Sequence, residues 1–67
     1  MAKIKLNGEP YNIEHQTNLA QLLKKLNISS DKVAIEINGA IAEKNQYTKR
    51  YLNKGDKIEI VHFIGGG

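Results

Sequence analysis

Apolar and polar residues alternate at the start of the chain. Ile4 and Leu6 fall on one side and Lys3 and Lys5 on the other. That period of two predicts a half-buried strand over residues 2–6. Asn7-Gly8 follows, the strongest short hairpin signal, because both residues accept positive φ. Tyr11 and Ile13 then alternate with Asn12 and Glu14 in a second strand. Pro10 has no N–H for the ladder, which predicts a late start and a place at a sheet edge. The period then changes. Leu19, Leu22, Leu23 and Leu26 stand at i, i+3, i+4 and i+7, a single helical stripe. Thr17 or Asn18 can cap this helix, and Asn18 with Gln21 makes a capping box. Lys24 and Lys25 suit the negative end of the helix dipole, and Asn27 with Ser29-Ser30-Asp31 ends the helix.

Alternation returns at Val33, Ile35 and Ile37, a third strand, and Asn38-Gly39 is a second turn signal. Ala40-Ile41-Ala42 reads as a short fourth strand. Residues 43–52 carry no clear period; Tyr47, Tyr51 and Leu52 suggest a short helical turn that packs side chains. Tyr11 is read as a packing residue as well. Asn53-Lys54-Gly55-Asp56 is turn chemistry, and residues 57–63 form the last strand. The order ββαβββ has too few strands for a sandwich, and one helix covers one face of a small sheet. The crossover through the helix makes the sheet mixed. The expectation is an α+β, ubiquitin-like β-grasp domain over residues 1–64, with a mixed five-stranded sheet and one main helix packed on one face. The last strand is expected in the middle, beside the first.

Size narrows the possibilities. With 67 residues the chain is one small domain, and it has no cysteine to staple it. His15 and His62 are its two histidines, with no ligand cluster around them, so no metal site is expected. So little core leaves no room for a deep active site, and function is expected at the surface or at an end. No secretory signal and no membrane-spanning run is visible, which predicts a cytoplasmic protein and no membrane partner. The net charge of +3 comes from scattered lysines and a single arginine, Arg50. That pattern reads as a solvated surface, so no nucleic-acid partner is expected, though a mild positive field can steer an acidic protein.

The candidate chemistry lies at Gly65-Gly66-Gly67, directly after the apolar run that ends in Phe63-Ile64. Glycines carry no Cβ, so residues 65–67 read as a flexible tail, separate from the domain, able to enter a slot that would reject any side chain. Paired carboxylates, a phosphate loop and metal-ligand spacing are all missing, so no catalytic residue is assigned. His62, on the Ile58/Ile60 face by alternation, reads as partly buried or partner-contacting rather than as a base, and His15 as solvated. Phe63 and Ile64 either cover the sheet end or form an exposed docking patch.

Three stretches carry a resemblance over the whole chain. Residues 33–39 (Val33 to Gly39), 55–61 (Gly55 to Val61) and 63–67 (Phe63 to Gly67), with the Leu22-Leu23 helix, resemble the sulfur carriers of thiamine biosynthesis, the ThiS family. The basic charge balance departs from that family's more acidic pattern. The resemblance implies that a ubiquitin-activator-like (ThiF-like) enzyme uses Mg-ATP to adenylate the Gly67 carboxylate. A sulfur donor protein then supplies sulfur to make a thiocarboxylate, and thiazole synthase (ThiG-like) takes it. The carrier itself binds no cofactor. Gly65 and Gly66 would thread the partner's active site, with His62, Phe63 and Ile64 as docking residues. The small subunit of molybdopterin synthase is a related possibility. A ubiquitin-like protein modifier fits the terminus equally well, and isopeptide conjugates rather than a thiocarboxylate would mark it. A β-grasp RNA-binding module would need clustered basic and exposed aromatic residues.

Overall fold

The computed structural model describes residues 1–64. Strand β1 (Ala2–Leu6) and strand β2 (Glu9–Ile13) form an antiparallel hairpin, Leu6 opposite Glu9. Asn7 (φ 49°) and Gly8 (φ 84°) make its two-residue turn. Pro10 sits inside β2, opposite Lys5, so the strand starts earlier than its proline suggested. Its edge position is as expected, and there the missing N–H has no neighbour to disappoint.

Helix α1 (Leu19–Lys25) follows. Asn18 Oδ1 accepts from the Gln21 N–H and Gln21 Oε1 accepts from the Asn18 N–H, both at 2.8 Å, closing the capping box. Leu19, Leu22 and Leu23 are buried; Leu26, already the C-cap, is only partly so. Ser29 caps a short 3-10 turn at Ser30–Lys32, where the sequence suggested only a helix end. Strands β3 (Val33–Ile37) and β4 (Ala40–Ile41) form the second hairpin, over Asn38 and Gly39. After a 3-10 turn at Lys44–Gln46, strand β5 (Lys57–His62) completes a sheet of order β2-β1-β5-β3-β4. β5 lies in the centre, parallel to β1 and antiparallel to β3.

The core lies between α1 and one face of the sheet. Ile4, Ile13, Leu19, Leu22, Ile35 and Ile58 are its fully buried large side chains. Burying each contributes about 1.5–3 kcal/mol. The segment with no period is held by backbone bonds to the helix start: the Leu19 N–H donates to Arg50 O at 2.9 Å and the Leu52 N–H to Thr17 O at 2.9 Å. Tyr47 and Leu52 are buried there as expected, and Tyr11 packs partly buried against the core. Tyr51 does not pack: it is 49% exposed, because its backbone bridges Asn18 and turns the ring outward.

Candidate functional site

The site is built at the end of β5, the strand that leads to the glycines. β3 holds that end on one side through paired positions from Ile37↔Ile58 to Val33↔His62. The Phe63 N–H donates to Lys32 O at 2.9 Å, which carries the ladder one residue past the strand. On the other side β1 reaches only Lys57 and Ile58 before turning away. Asn7 takes over there. Its Oδ1 accepts from the Ile60 N–H at 2.7 Å and its Nδ2 donates to Ile60 O at 3.4 Å. The carboxamide thus replaces a missing strand rung, and it does so from a backbone already in the left-handed region. Asn38 repeats the device at the start of β5, accepting from the Lys57 N–H at 2.9 Å and donating to Asp56 Oδ1 at 3.0 Å.

Past Ile60 the chain leaves the cover of the core. Phe63 is 61% exposed and Ile64 fully exposed, so the two form an exposed apolar patch and do not close the sheet end. His62 lies opposite Val33 on the helix side of the sheet, as alternation predicted, but it is exposed rather than partly buried. His15 is exposed, with Nε2 at 3.1 Å from the amino group of Met1. Gly65, Gly66 and Gly67 lie outside the described residues.

Val61, 58% exposed, belongs to the patch and was missed. The signal was present: with Ile58 and Ile60 inside, strict alternation puts 59, 61 and 63 on the face that a single helix cannot cover. That open face also carries Lys3 and Lys5 of β1, Lys57 and Glu59 of β5, and Glu36 of β3. Its charges are sorted by sign. Lys5 stands beside Lys57, and Glu36 stands directly opposite Glu59. Among the described residues the ion pairs are Lys44–Asp31 and Arg50–Asp56, and neither includes these four side chains.

The remaining surface points elsewhere. A cleft of about 620 Å³ runs between the end of α1 and the 43–48 segment, lined by Leu23, Lys24, Ile28 and Tyr47 among others. Burial first, and the Glu43 carboxylate second, raise the Tyr47 phenol above its ordinary pKa. Among the described residues no three His, Cys, Asp or Glu side chains gather to hold a metal, and no helix is long and apolar enough to cross a membrane. The arrangement therefore offers a firmly seated exit for the chain, next to an exposed face of mixed apolar and charged character.

A five-stranded mixed sheet with one helix on one face and its last strand central is a ubiquitin-like β-grasp domain. The ThiS family model matches residues 4–67, and the chain belongs to the ThiS family. It is 37% identical over 65 residues to the sulfur carrier protein ThiS of Bacillus subtilis, across 96% of this chain and 98% of that one. It is 49% identical over 65 residues to a thiazole synthase of Magnetococcus marinus, across 97% of this chain but 20% of that protein. The chain thus spans about a fifth of the thiazole synthase it matches. The crystal structure of the thiamine biosynthesis protein ThiS from Geobacter metallireducens superposes with a TM-score of 0.84 at 28% identity, covering 97% of this chain and 99% of that one.

Proposed function

We propose that this chain is a sulfur carrier of thiamine biosynthesis and that the Gly67 carboxylate is the group that carries the sulfur. The observation that bears most weight is the family match, which runs through the three glycines to residue 67. The physical logic agrees. A carboxylate is a poor acyl donor until a leaving group is attached. A ThiF-like partner would join it to AMP from Mg-ATP with loss of pyrophosphate. Sulfide-level sulfur from a donor protein would then attack the acyl carbon, forming the C–S bond as the C–O bond to AMP breaks, and leave a thiocarboxylate for a ThiG-like thiazole synthase. The chain has no cysteine, so a side-chain thiol cannot carry the sulfur. The domain acts as a co-substrate: it seats β5 and presents the segment beyond it, and the partners supply catalysis and bind the nucleotide. Gly65 and Gly66 pass the partner's slot because they have no Cβ. The names of the relatives favour thiamine over molybdopterin synthesis, and over protein modification.

The test is intact-mass analysis after incubation with the activating enzyme, Mg-ATP and a sulfur donor. One sulfur should replace one oxygen, located on Gly67 by fragmentation. A variant with one residue added after Gly67 should lose ATP–pyrophosphate exchange while keeping its unfolding temperature. Exchange at the unmodified rate in that variant would rule out Gly67 as the acceptor.

A further inference from the structure

Both hairpin turns of the sheet carry asparagine before glycine, Asn7-Gly8 and Asn38-Gly39, and all four residues are exposed. Asparagine is a chemically labile side chain. A following glycine adds to this, because its nitrogen has no neighbouring Cβ to block an approach to the asparagine Cγ. At Gly39 nothing lies within 4 Å of where a Cβ would stand. The two turns differ in what their carboxamides hold. Asn7 meets the backbone of Ile60. Asn38 accepts from the Lys57 N–H at 2.9 Å and donates to Asp56 Oδ1 at 3.0 Å. Asp56 is buried; its Oδ2 accepts from the Asn53 N–H at 2.8 Å and lies 3.5 Å from the Arg50 guanidinium. A carboxamide at residue 38 serves both partners at once. A carboxylate there would keep the acceptor for Lys57 and lose the donor for Asp56.

We propose that Asn38 is a site of spontaneous deamidation, and that Asp56 makes this change release the start of β5 from the β3–β4 turn. The Gly39 nitrogen attacks Cγ of Asn38. A C–N bond forms, the Cγ–Nδ2 bond breaks, and the proton of the Gly39 nitrogen leaves with Nδ2 as ammonia. Water then opens the cyclic imide. Opening at Cγ gives aspartate, and opening at the main-chain carbonyl gives isoaspartate, with the chain rerouted through Cγ. Water is the sole co-reactant, and nothing is oxidised or reduced. While both hydrogen bonds hold, the carboxamide is fixed by its partners, so ring closure proceeds from the opened turn. Afterwards the tie to Asp56 cannot form again. In the aspartate product a second carboxylate faces the buried Asp56 carboxylate. Arg50, itself partly exposed, is the charged side chain that reaches Asp56 among the described ion pairs, and it offsets the added charge only in part. In the isoaspartate product the extra main-chain carbon also disrupts the two-residue turn. The conversion therefore runs one way and limits the lifetime of the folded domain. Nothing in this chemistry depends on the carrier reading.

Peptide mass mapping of the full chain, kept in mildly alkaline buffer and sampled over days, tests the site. Residue 38 should gain the mass of an amide-to-acid change, and unfolding the chain in urea should speed the conversion by about tenfold or more, since the folded turn must first open. Asn38→Asp makes one product directly. Its unfolding midpoint should fall by about 5 °C or more at neutral pH. Protonating one of the two carboxylates relieves the pair, so this deficit should be small below about pH 4, the ordinary aspartate value, and grow as the pH rises. Asn38→Ala loses the same tie without adding charge, so its deficit should not follow pH in this way. Adding Asp56→Asn to Asn38→Asp restores a donor between the two side chains and should recover part of the loss, although Asp56→Asn alone destabilises. Conversion at residue 38 together with a pH-dependent deficit that Asp56→Asn reduces supports the proposal. A residue 38 that stays intact in both the folded and the unfolded chain overturns the site. A deficit of Asn38→Asp that is absent at neutral pH, or that Asp56→Asn does not reduce, overturns the role of Asp56 and the release of β5 with it.

Discussion

Asn7 does two things at once. It occupies the left-handed region at φ 49° to turn the first hairpin, and its carboxamide bonds both backbone groups of Ile60. Asn7→Gly keeps the turn and loses the rung; Asn7→Ala loses the rung and strains the turn. The expected cost is about 1–3 kcal/mol for Asn7→Gly, the usual penalty for stranding partly buried backbone groups. Asn7→Ala should cost more, by about 1 kcal/mol, because Cβ crowds the backbone there. Urea unfolding of the two variants measures both, and equal stability of Asn7→Ala and the parent would show that the rung carries nothing. Tyr47 offers a second reading at this scale. Burial and Glu43 raise its pKa, so the folded protein holds the phenolic proton longer than the unfolded chain does. A raised folded-state value means the stability linked to this group is full below about pH 10, the ordinary tyrosine value, and is lost as pH climbs through the raised one. Phenolate absorbance should show a late tyrosine step, and Tyr47→Phe should remove it.

At the scale of elements, α1 is short, so tertiary contact rather than helix propensity holds it. Leu22→Ala removes a fully buried side chain and should cost about 2–5 kcal/mol, read as a lowered unfolding midpoint. An unchanged midpoint would place Leu22 outside the core. The helix and the strands were legible because each repeats a period: Leu19, Leu22 and Leu23 at helical spacing, Val33, Ile35 and Ile37 at strand spacing. The capping box was legible for the same local reason. Residues 43–52 were not, because their conformation is dictated by distant backbone groups such as Arg50 O under Leu19 N–H, which leave no period in the sequence. Tyr51 was misjudged there because an aromatic residue signals packing only on average. The late start expected from Pro10 was a misjudgement, although its edge position was not, because the lack of a donor matters only where a neighbouring strand asks for one. At the site, Phe63 and Ile64 were legible as a choice between cover and patch, and the structure decides for the patch. The opposed carboxylates were hidden, since register between β3 and β5 is a property of the folded sheet.

For the whole molecule, the charge of +3 raises the question of nucleic acid. The open face divides its lysines from its carboxylates, and a phosphate backbone would meet Glu36 and Glu59 as well as Lys5 and Lys57. Binding to RNA or DNA is therefore expected to stay in the weak non-specific range at physiological salt. A tight complex that weakens steeply with salt in a fluorescence titration would reverse this.

The central place of β5 has a further consequence during synthesis. Among the described strands, the one made last joins the one made first, β1, through a parallel pairing that spans nearly the whole described chain. Until residue 62 has left the ribosome, the hairpins can form but the sheet has no middle and the core no floor, since Ile58 and Ile60 are missing from it. Pairings this remote in sequence form slowly and late. The nascent domain thus acquires its open face only after β5 has been made, so a partner that recognises the folded face is expected to ignore translation intermediates that lack this strand.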